Sequence, residues 1–281
     1  MEEKSSFWTD GDVIANGLSI HYYRTGGAKP PLLLAHGISD NGLCWTRVAR
    51  VLARDYDLIM VDLRGHGRSD KPPSGYNLSD HAADLAGVIE GLQLGQTAVM
   101  GHSLGAGTAA ILAAEYPQLI TCTVLEDPTW FDPQSGDLEQ RSAGIKAFGA
   151  YLQQIKALPV ETITVIGLEM NPGWSAEEFP AWVESKKQVS IHAFDLDPTP
   201  MAAWQDVARR IQSPTLVITA DVQAGEPGSA IVTPQVAAAA AALNDKISTA
   251  TIPGAGHNIR REQFEPFLAL VRQFLAENSA P

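Results

Sequence analysis

Between Asp12 and Thr25, apolar and polar positions alternate around Asn16-Gly17, a dipeptide suited to a two-residue hairpin turn, so two antiparallel strands are predicted at the start of the chain. Beyond this hairpin the pattern changes. Pro31-Leu32-Leu33-Leu34-Ala35, Leu58-Ile59-Met60-Val61, Thr97-Ala98-Val99-Met100, Thr121-Cys122-Thr123-Val124-Leu125 and Pro214-Thr215-Leu216-Val217-Ile218-Thr219 are near-continuous apolar runs, and Lys246 to Ile252 reads as a last strand. Strands that are apolar on both faces belong to a parallel sheet covered by helices. Helix-like segments alternate with them: Gly42 to Ala53, Leu78 to Leu92, Leu104 to Tyr116, Pro234 to Leu243 and Glu262 to Glu277. This alternation predicts a doubly wound α/β fold.

The alternation breaks between Pro128 and Asp206. No buried strand is read there, and Pro133, Pro159, Pro172, Pro180, Pro198 and Pro200 would separate several short helices. An inserted helical cap, or lid, is therefore predicted over 128–205, on an α/β core formed by 1–127 and 206–281. Four of the six tryptophans fall in it, and Trp130, Trp174, Trp182 and Trp204 are expected as the apolar wall of a pocket. A length of 281 residues allows one large domain or two modest ones, and the insertion favours a single core with a lid.

Composition narrows the function. Apolar residues make up 45% of the chain, enough for a packed core. Acidic residues outnumber basic ones 32 to 20, a formal charge of −12, which argues against a nucleic-acid partner and mildly disfavours anionic substrates. Cys44 and Cys122 stand in no metal-binding or redox spacing, so no metal, disulfide framework or other cofactor is expected. Met1 to Ser6 is charged and lacks the apolar run of a secretory signal, which points to the cytoplasm. Gly91 to Ala114 contains no charged residue, but its glycines with Gln96 and His102 dilute it below a membrane helix, and it reads as buried strand, turn and helix. The expected partner is a small-molecule substrate, without nucleic acid or membrane. No oligomeric state is assigned.

Gly101-His102-Ser103-Leu104-Gly105 is a GxSxG pentapeptide directly after a predicted strand and directly before a predicted helix. A serine there sits on a sharp turn with its hydroxyl projecting, small flanking residues permit the tight backbone, and the helix N-terminus offers amide donors. An overlapping reading of another class is the GxGxxA of Gly105-Ala106-Gly107-Thr108-Ala109-Ala110, with Glu126 standing 21 residues after Gly105 as in a dinucleotide-binding unit. The strand, however, ends near Met100, which places both glycines within the helix rather than in the turn before it.

With three further motifs in order, the chain resembles the α/β-hydrolase family over roughly residues 12–278. His36-Gly37-Ile38 is similar to the family's HGx turn, with Trp45 where an aromatic often follows. Asp62-Leu63-Arg64-Gly65-His66-Gly67-Arg68-Ser69 resembles its DxRGxGxS signature, and Gly254-Ala255-Gly256-His257 its GxGH. The resemblance implies a mostly parallel sheet of eight strands, Ser103 as nucleophile and His257 as its base, because an unassisted hydroxyl is a poor nucleophile. It also implies that the backbone amides of Ile38 and Leu104 form the oxyanion hole. Of the other histidines, His36 and His102 flank functional turns, His66 belongs to the arginine-rich loop, and His21 and His81 read as surface or packing residues. His192 in the lid and His36 join the tryptophans as pocket candidates.

The acid departs from the family's commonest pattern. After strand seven the family usually reads G-(E/D)-x-D, whereas the aligned run here is Ala220-Asp221-Val222-Gln223, and Gln223 has no charge to stabilise an imidazolium. A minority arrangement, seen in some dehalogenases, lactonases and small esterases, places the acid at the end of strand six. Asp127 stands there, 24 residues after Ser103, and is the preferred acid, with Glu126 and Asp221 as alternatives. Dehalogenases and epoxide hydrolases of this fold carry Asp at the elbow, so Ser103 argues against both. What remains is hydrolysis of an ester or lactone of a small, fairly apolar substrate through an acyl-serine. Carbon–carbon bond hydrolases and cofactor-free perhydrolases share these motifs and stand as alternatives, as does an inactive hydrolase-fold receptor. Lys146, Lys156, Lys186 and Lys187 of the lid are candidates to hold a substrate carboxylate, but a surface role is expected of them.

Overall fold

The computed structural model describes residues 8–132, 138–221 and 230–279; Met1 to Ser6, Pro133, Val222 and Gln223, which entered the sequence reading, lie outside them. Eight strands form one sheet: β1 (Thr9–Ala15), β2 (Leu18–Arg24), β3 (Pro31–Ala35), β4 (Asp57–Val61), β5 (Thr97–His102), β6 (Ile120–Glu126), β7 (Thr215–Ala220) and β8 (Ile247–Ile252). Each coincides with a predicted strand. Their spatial order is β1-β2-β4-β3-β5-β6-β7-β8. β1 pairs antiparallel with β2 and β2 with β4, while β4 to β8 run parallel. The hairpin turn is as tight as its dipeptide implies: Ala15 faces Leu18, and Asn16 and Gly17 both take positive φ (48° and 79°), the geometry that matches the twist of paired strands.

The helices are α1 (Thr46–Leu52), α2 (Leu78–Gly91), α3 (Leu104–Glu115), α4 (Leu138–Ala157), α5 (Val160–Met170), α6 (Phe179–Gln188), α7 (Thr199–Ala202), α8 (Trp204–Arg210), α9 (Pro234–Leu243), α10 (Ile259–Glu262) and α11 (Phe264–Asn278). The predicted helix over Gly42 to Ala53 divides into a 3-10 turn, Gly42–Trp45, and α1. The last predicted helix is preceded by the short α10, from which Gln263, at φ −131° and ψ 62°, separates it.

Because successive strand side chains point to opposite faces, each buried strand feeds two apolar layers. Leu33, Ala35, Ile59, Val61 and Val99 pack with Leu85 and Val88 of α2 and Ala109 and Leu112 of α3. Leu32, Leu34, Leu58, Met60 and Met100 pack with Val48 and Leu52 of α1 and Phe267 and Val271 of α11. His21 and His81 are both fully buried, so packing rather than surface exposure describes them. Between β6 and β7 the described residues form α4 to α8 and no strand. Part of this segment has its own apolar cluster, of Ile155, Ile163, Trp182 and Val183. No helix among the described residues is long and apolar enough to cross a membrane.

Candidate active site

β5 has β3 on one side and β6 on the other, so loops from both halves of the sheet meet beyond its C-terminal end. Ser103 sits there, between β5 and α3, at φ 54° and ψ −114°. For a non-glycine residue this backbone costs on the order of 1–3 kcal/mol and persists only where the surroundings over-determine it. They do: the Ser103 N–H donates to the Glu126 carbonyl at 3.0 Å, and its carbonyl accepts from the Gly107 N–H at 2.9 Å. A Cβ on Gly105 would be driven into the carbonyl oxygen of Ala35, so only glycine lets α3 approach β3 this closely. As the sequence placed them, Gly105 and Gly107 lie within α3, close to the backbone of Ala35 and His36 and the side chain of Thr129, and not in a turn before the helix as a dinucleotide-binding unit requires.

His257 follows β8 on a loop, and its Nδ1 lies 2.6 Å from Oδ2 of Asp127. Asp127 is fully buried at the end of β6, at φ 41°. Its own N–H donates to the Ile218 carbonyl at 2.9 Å, and its carboxylate accepts the N–H of Ile231 on Oδ2 and of Val232 on Oδ1, both at 2.9 Å. Since these oxygens accept, Nδ1 carries the proton and Nε2 is left free to accept one. Burial lowers the basicity of His257, but the hydrogen bond and charge of Asp127, aided by Glu126, outweigh it, and the net pKa is raised above the ordinary histidine value.

The other two acids are engaged elsewhere. Glu126 is fully buried and accepts from the backbone N–H of Arg260 at 2.8 Å and from its Nη1 at 3.0 Å. Burial pushes the Glu126 carboxyl up, against the pull of Arg260. Asp221 is exposed and accepts from the Gly254 N–H at 2.8 Å, while its own N–H donates to the Ala255 carbonyl at 3.2 Å. It shapes the loop that carries His257 without touching the ring. His102 supports the same loop: its Nε2 donates to the His257 carbonyl at 3.0 Å, and the two rings lie 4.7 Å apart.

Ser103, His257, Ile38 and Leu104 all line one cavity of about 370 Å³. Leu104 opens α3, so its amide belongs to the first turn, where helix N–H groups have no intrahelical acceptor. The far wall is apolar, made by Ile145, Phe148, Leu152 and Ile155 of α4 with Ile166 and Met170 of α5. Of the six pocket candidates, Trp174 and Trp182 line it and four do not. His36 is buried behind the turn, its Nδ1 donating to the Gly37 carbonyl at 2.8 Å and its Nε2 accepting from the Leu63 N–H at 3.0 Å, so it braces two loops. Trp130 and Trp204 stack on each other, centroids 5.2 Å apart, and Trp204 Nε1 donates to the Phe131 carbonyl at 3.1 Å; their area is spent on the core. His192 faces solvent beside Asp195.

An ionic cluster in the cavity wall was missed. Lys186 is only 2% exposed, against the surface role expected of it, and it lines the cavity with Asp40 and Arg261. Burial pushes the Asp40 carboxyl up, yet the charges of Arg261, Lys186 and Arg260 prevail and hold it well below the carboxylate range. Arg261 also meets Glu178 at 3.1 Å. The one available signal was Arg260-Arg261 next to the His257 motif, since adjacent arginines that close to a buried strand end need anionic partners.

The chain is similar to known proteins of one fold. A family model described as alpha/beta hydrolase fold matches residues 30–260. A 2-(acetamidomethylene)succinate hydrolase of Mesorhizobium japonicum is 30% identical over 263 residues, covering 90% of each chain. An N-formylmaleamate deformylase of Pseudomonas putida is 29% identical over 280 residues, covering 96% of this chain and 98% of the relative. Among solved structures, an N-acyl homoserine lactone degrading enzyme superposes with a TM-score of 0.73 at 26% identity, over 94% of this chain and 100% of the other. The matched span runs from β3 past His257 and contains Ser103 and Asp127, and with the 30% identical relative covered to 90% it shows that the chain belongs to the α/β-hydrolase family and is a hydrolase.

Proposed function

We propose that this hydrolase cleaves a carboxylic ester or lactone with an apolar acyl group, through an acyl intermediate on Ser103. His257 takes the Ser103 proton on Nε2, Asp127 orients the ring and stabilises the imidazolium, and the amides of Ile38 and Leu104 receive the oxyanion. The imidazolium then protonates the leaving alcohol, and His257 activates the water that releases the acyl group. One observation carries the reading: the 2.6 Å contact of His257 with an anchored Asp127, at the wall of the cavity that the strained Ser103 also lines. Residues 128–205 act as a cap over the core of 1–127 and 206–281, with α4 and α5 as the acyl wall. The apolar wall supports an uncharged acyl group, as does the engagement of Lys186 and Arg261 by Asp40 and Glu178.

A second reading comes from the relatives whose names specify an acetamidomethylene succinate and an N-formylmaleamate: cleavage at an acylated nitrogen in a carboxylate-bearing substrate. Turnover of p-nitrophenyl acyl esters and γ-lactones, set beside those two compounds, separates the readings. Ser103→Ala is expected to abolish turnover and labelling by a fluorophosphonate probe. Equal turnover by wild type and Ser103→Ala would refute the acyl-serine, and failure of the wild type to label would leave a receptor.

A further inference from the structure

The amide of Ile38 lies in a turn that the local sequence holds poorly. The Asp40 N–H closes the turn on the Gly37 carbonyl at 3.2 Å, with Ile38 and Ser39 at its corners. Ser39 takes φ 70°, a region where turns favour glycine. A serine stays there only when tertiary contacts hold it. Two such contacts exist. The Ser39 N–H donates to Nε2 of His66 at 3.3 Å, and Lys186 Nζ donates to the Ser39 carbonyl at 2.8 Å and to its Oγ at 3.2 Å.

Lys186 belongs to α6, outside the α/β core, so this grip crosses from the helical segment to the sheet loops. Its third donor goes to Ser185 Oγ at 3.2 Å. An ammonium has three N–H groups, and all three are thus placed on protein oxygens, which leaves none for a substrate carboxylate. Asp40, next in the turn, lies 3.7 Å from Lys186 and is forked by Arg261 at 3.1 and 3.3 Å, and Arg261 reaches back to Glu178 beside α6. Two cations and two anions therefore join the Gly37–Asp40 turn, α6 and α10, the helix that follows His257.

We propose that Lys186 is a positioning residue, which sets the oxyanion donor of Ile38 by holding the Ser39 peptide and so couples assembly of the oxyanion hole to the seating of α6 on the core. The inference rests on the acyl-serine reading. The groups facing Lys186 are Asp40 and Cys44 from the segment after β3, Arg261 from α10, and Ser185 and the Trp182 ring, 4.7 Å away, from α6. Burial lowers Lys186 to about 8, with Asp40 opposing, so the grip loses its charge in mildly alkaline solution.

The test uses the full chain and an ester or lactone whose turnover Ser103→Ala abolishes. Lys186→Met is expected to lower kcat roughly tenfold to hundredfold, approaching the loss of about 10²–10³ for deleting an oxyanion donor, with KM within about twofold. Lys186→Arg is expected to restore much of kcat and to lack the fall in kcat expected of the wild type as pH rises through about 8. Wild-type kcat in a folded Lys186→Met overturns the inference, and so does a rise in KM alone, which would mean that the ammonium meets substrate. Should Lys186→Met not fold, identical alkaline profiles of wild type and Lys186→Arg overturn it instead. Turnover surviving Ser103→Ala is a different failure, that of the acyl-serine reading.

Discussion

Asp127→Asn probes the proposed mechanism at the point where the sequence reading left three acids. In the native site Oδ2 accepts from both His257 Nδ1 and Ile231 N–H, and Oδ1 accepts from Val232 N–H. Asparagine has one oxygen and one NH₂ for these three donors. With its nitrogen at the Oδ2 place, His257 must take the other tautomer so that Nδ1 can accept; Nε2 then carries the proton and is no longer a base. With its nitrogen at the Oδ1 place, the buried Val232 N–H is orphaned, at about 1–3 kcal/mol, and the imidazolium faces a neutral oxygen. Replacing the equivalent acid in a Ser-His-Asp enzyme lowers kcat by about 10⁴, a barrier increase of about 5.4 kcal/mol at about 1.36 kcal/mol per tenfold. The expected result is a loss of roughly 10³–10⁴ in kcat, with circular dichroism unchanged. Asp221→Asn, at an exposed carboxylate whose oxygen still accepts from Gly254, should stay within about twofold. The assay is p-nitrophenyl ester turnover across pH. Only neutral His257 accepts the serine proton, so activity rises with pH through a midpoint above the ordinary histidine value, and in Asp127→Asn that midpoint moves down. An Asp127→Asn enzyme that keeps more than about a tenth of kcat, or a larger loss in Asp221→Asn, would refute the reasoning.

Three further outcomes are expected. Gly105→Ala overpacks α3 against the Ala35 carbonyl, costing about 1–3 kcal/mol and lowering Tm by roughly 2–12 °C; an unchanged melting curve would contradict the close-packing role. Arg260→Met leaves Glu126 charged and buried without the guanidinium, with the backbone N–H of residue 260 still donating to it, a loss of about 3–5 kcal/mol in urea unfolding. Since protonated Glu126 needs no partner, the deficit should shrink as pH falls, and a pH-independent deficit would point to lost packing on Trp45 instead. Trp174→Ala enlarges the cavity, so the kcat/KM ratio of a longer to a shorter acyl ester should rise about fourfold per added buried CH₂, at about 0.8 kcal/mol each; an unchanged ratio would place the acyl group elsewhere.

Strands β3 to β7 were legible because each is a short apolar run whose burial on both faces is encoded in its own residues, whereas β1 and β2 showed through alternation around their turn. Asn16-Gly17 likewise states its turn locally, since both positions need positive φ. Ser103 was legible through the small residues around it, which the approach of α3 to β3 requires. The tryptophans were not separable in the same way. Trp174 and Trp182 line the cavity while Trp130 and Trp204 stack in the core, and all four lie in one helical segment with the same composition. Which way an aromatic points depends on helix packing, not on the residue itself. Lys186 was misjudged for a related reason: lysine is buried only when partners are present, and its partners Ser39 and Asp40 stand about 147 positions earlier in the chain.

The sequence by itself determined the strands, their order along the chain and the serine turn, because these depend on hydrophobic pattern and backbone sterics over a few residues, and the resemblance of Gly254 to His257 to a family motif marked the histidine. The tertiary structure alone decided which carboxylate reaches His257, with Asp127 held by the amides of Ile231 and Val232 more than a hundred residues away while Glu126 is drawn off by Arg260. It also decided that the charges nearest the cavity neutralise one another. Glu126 is the last residue of β6 and Asp127, at φ 41°, turns the chain just beyond it, so these neighbours in sequence meet different partners.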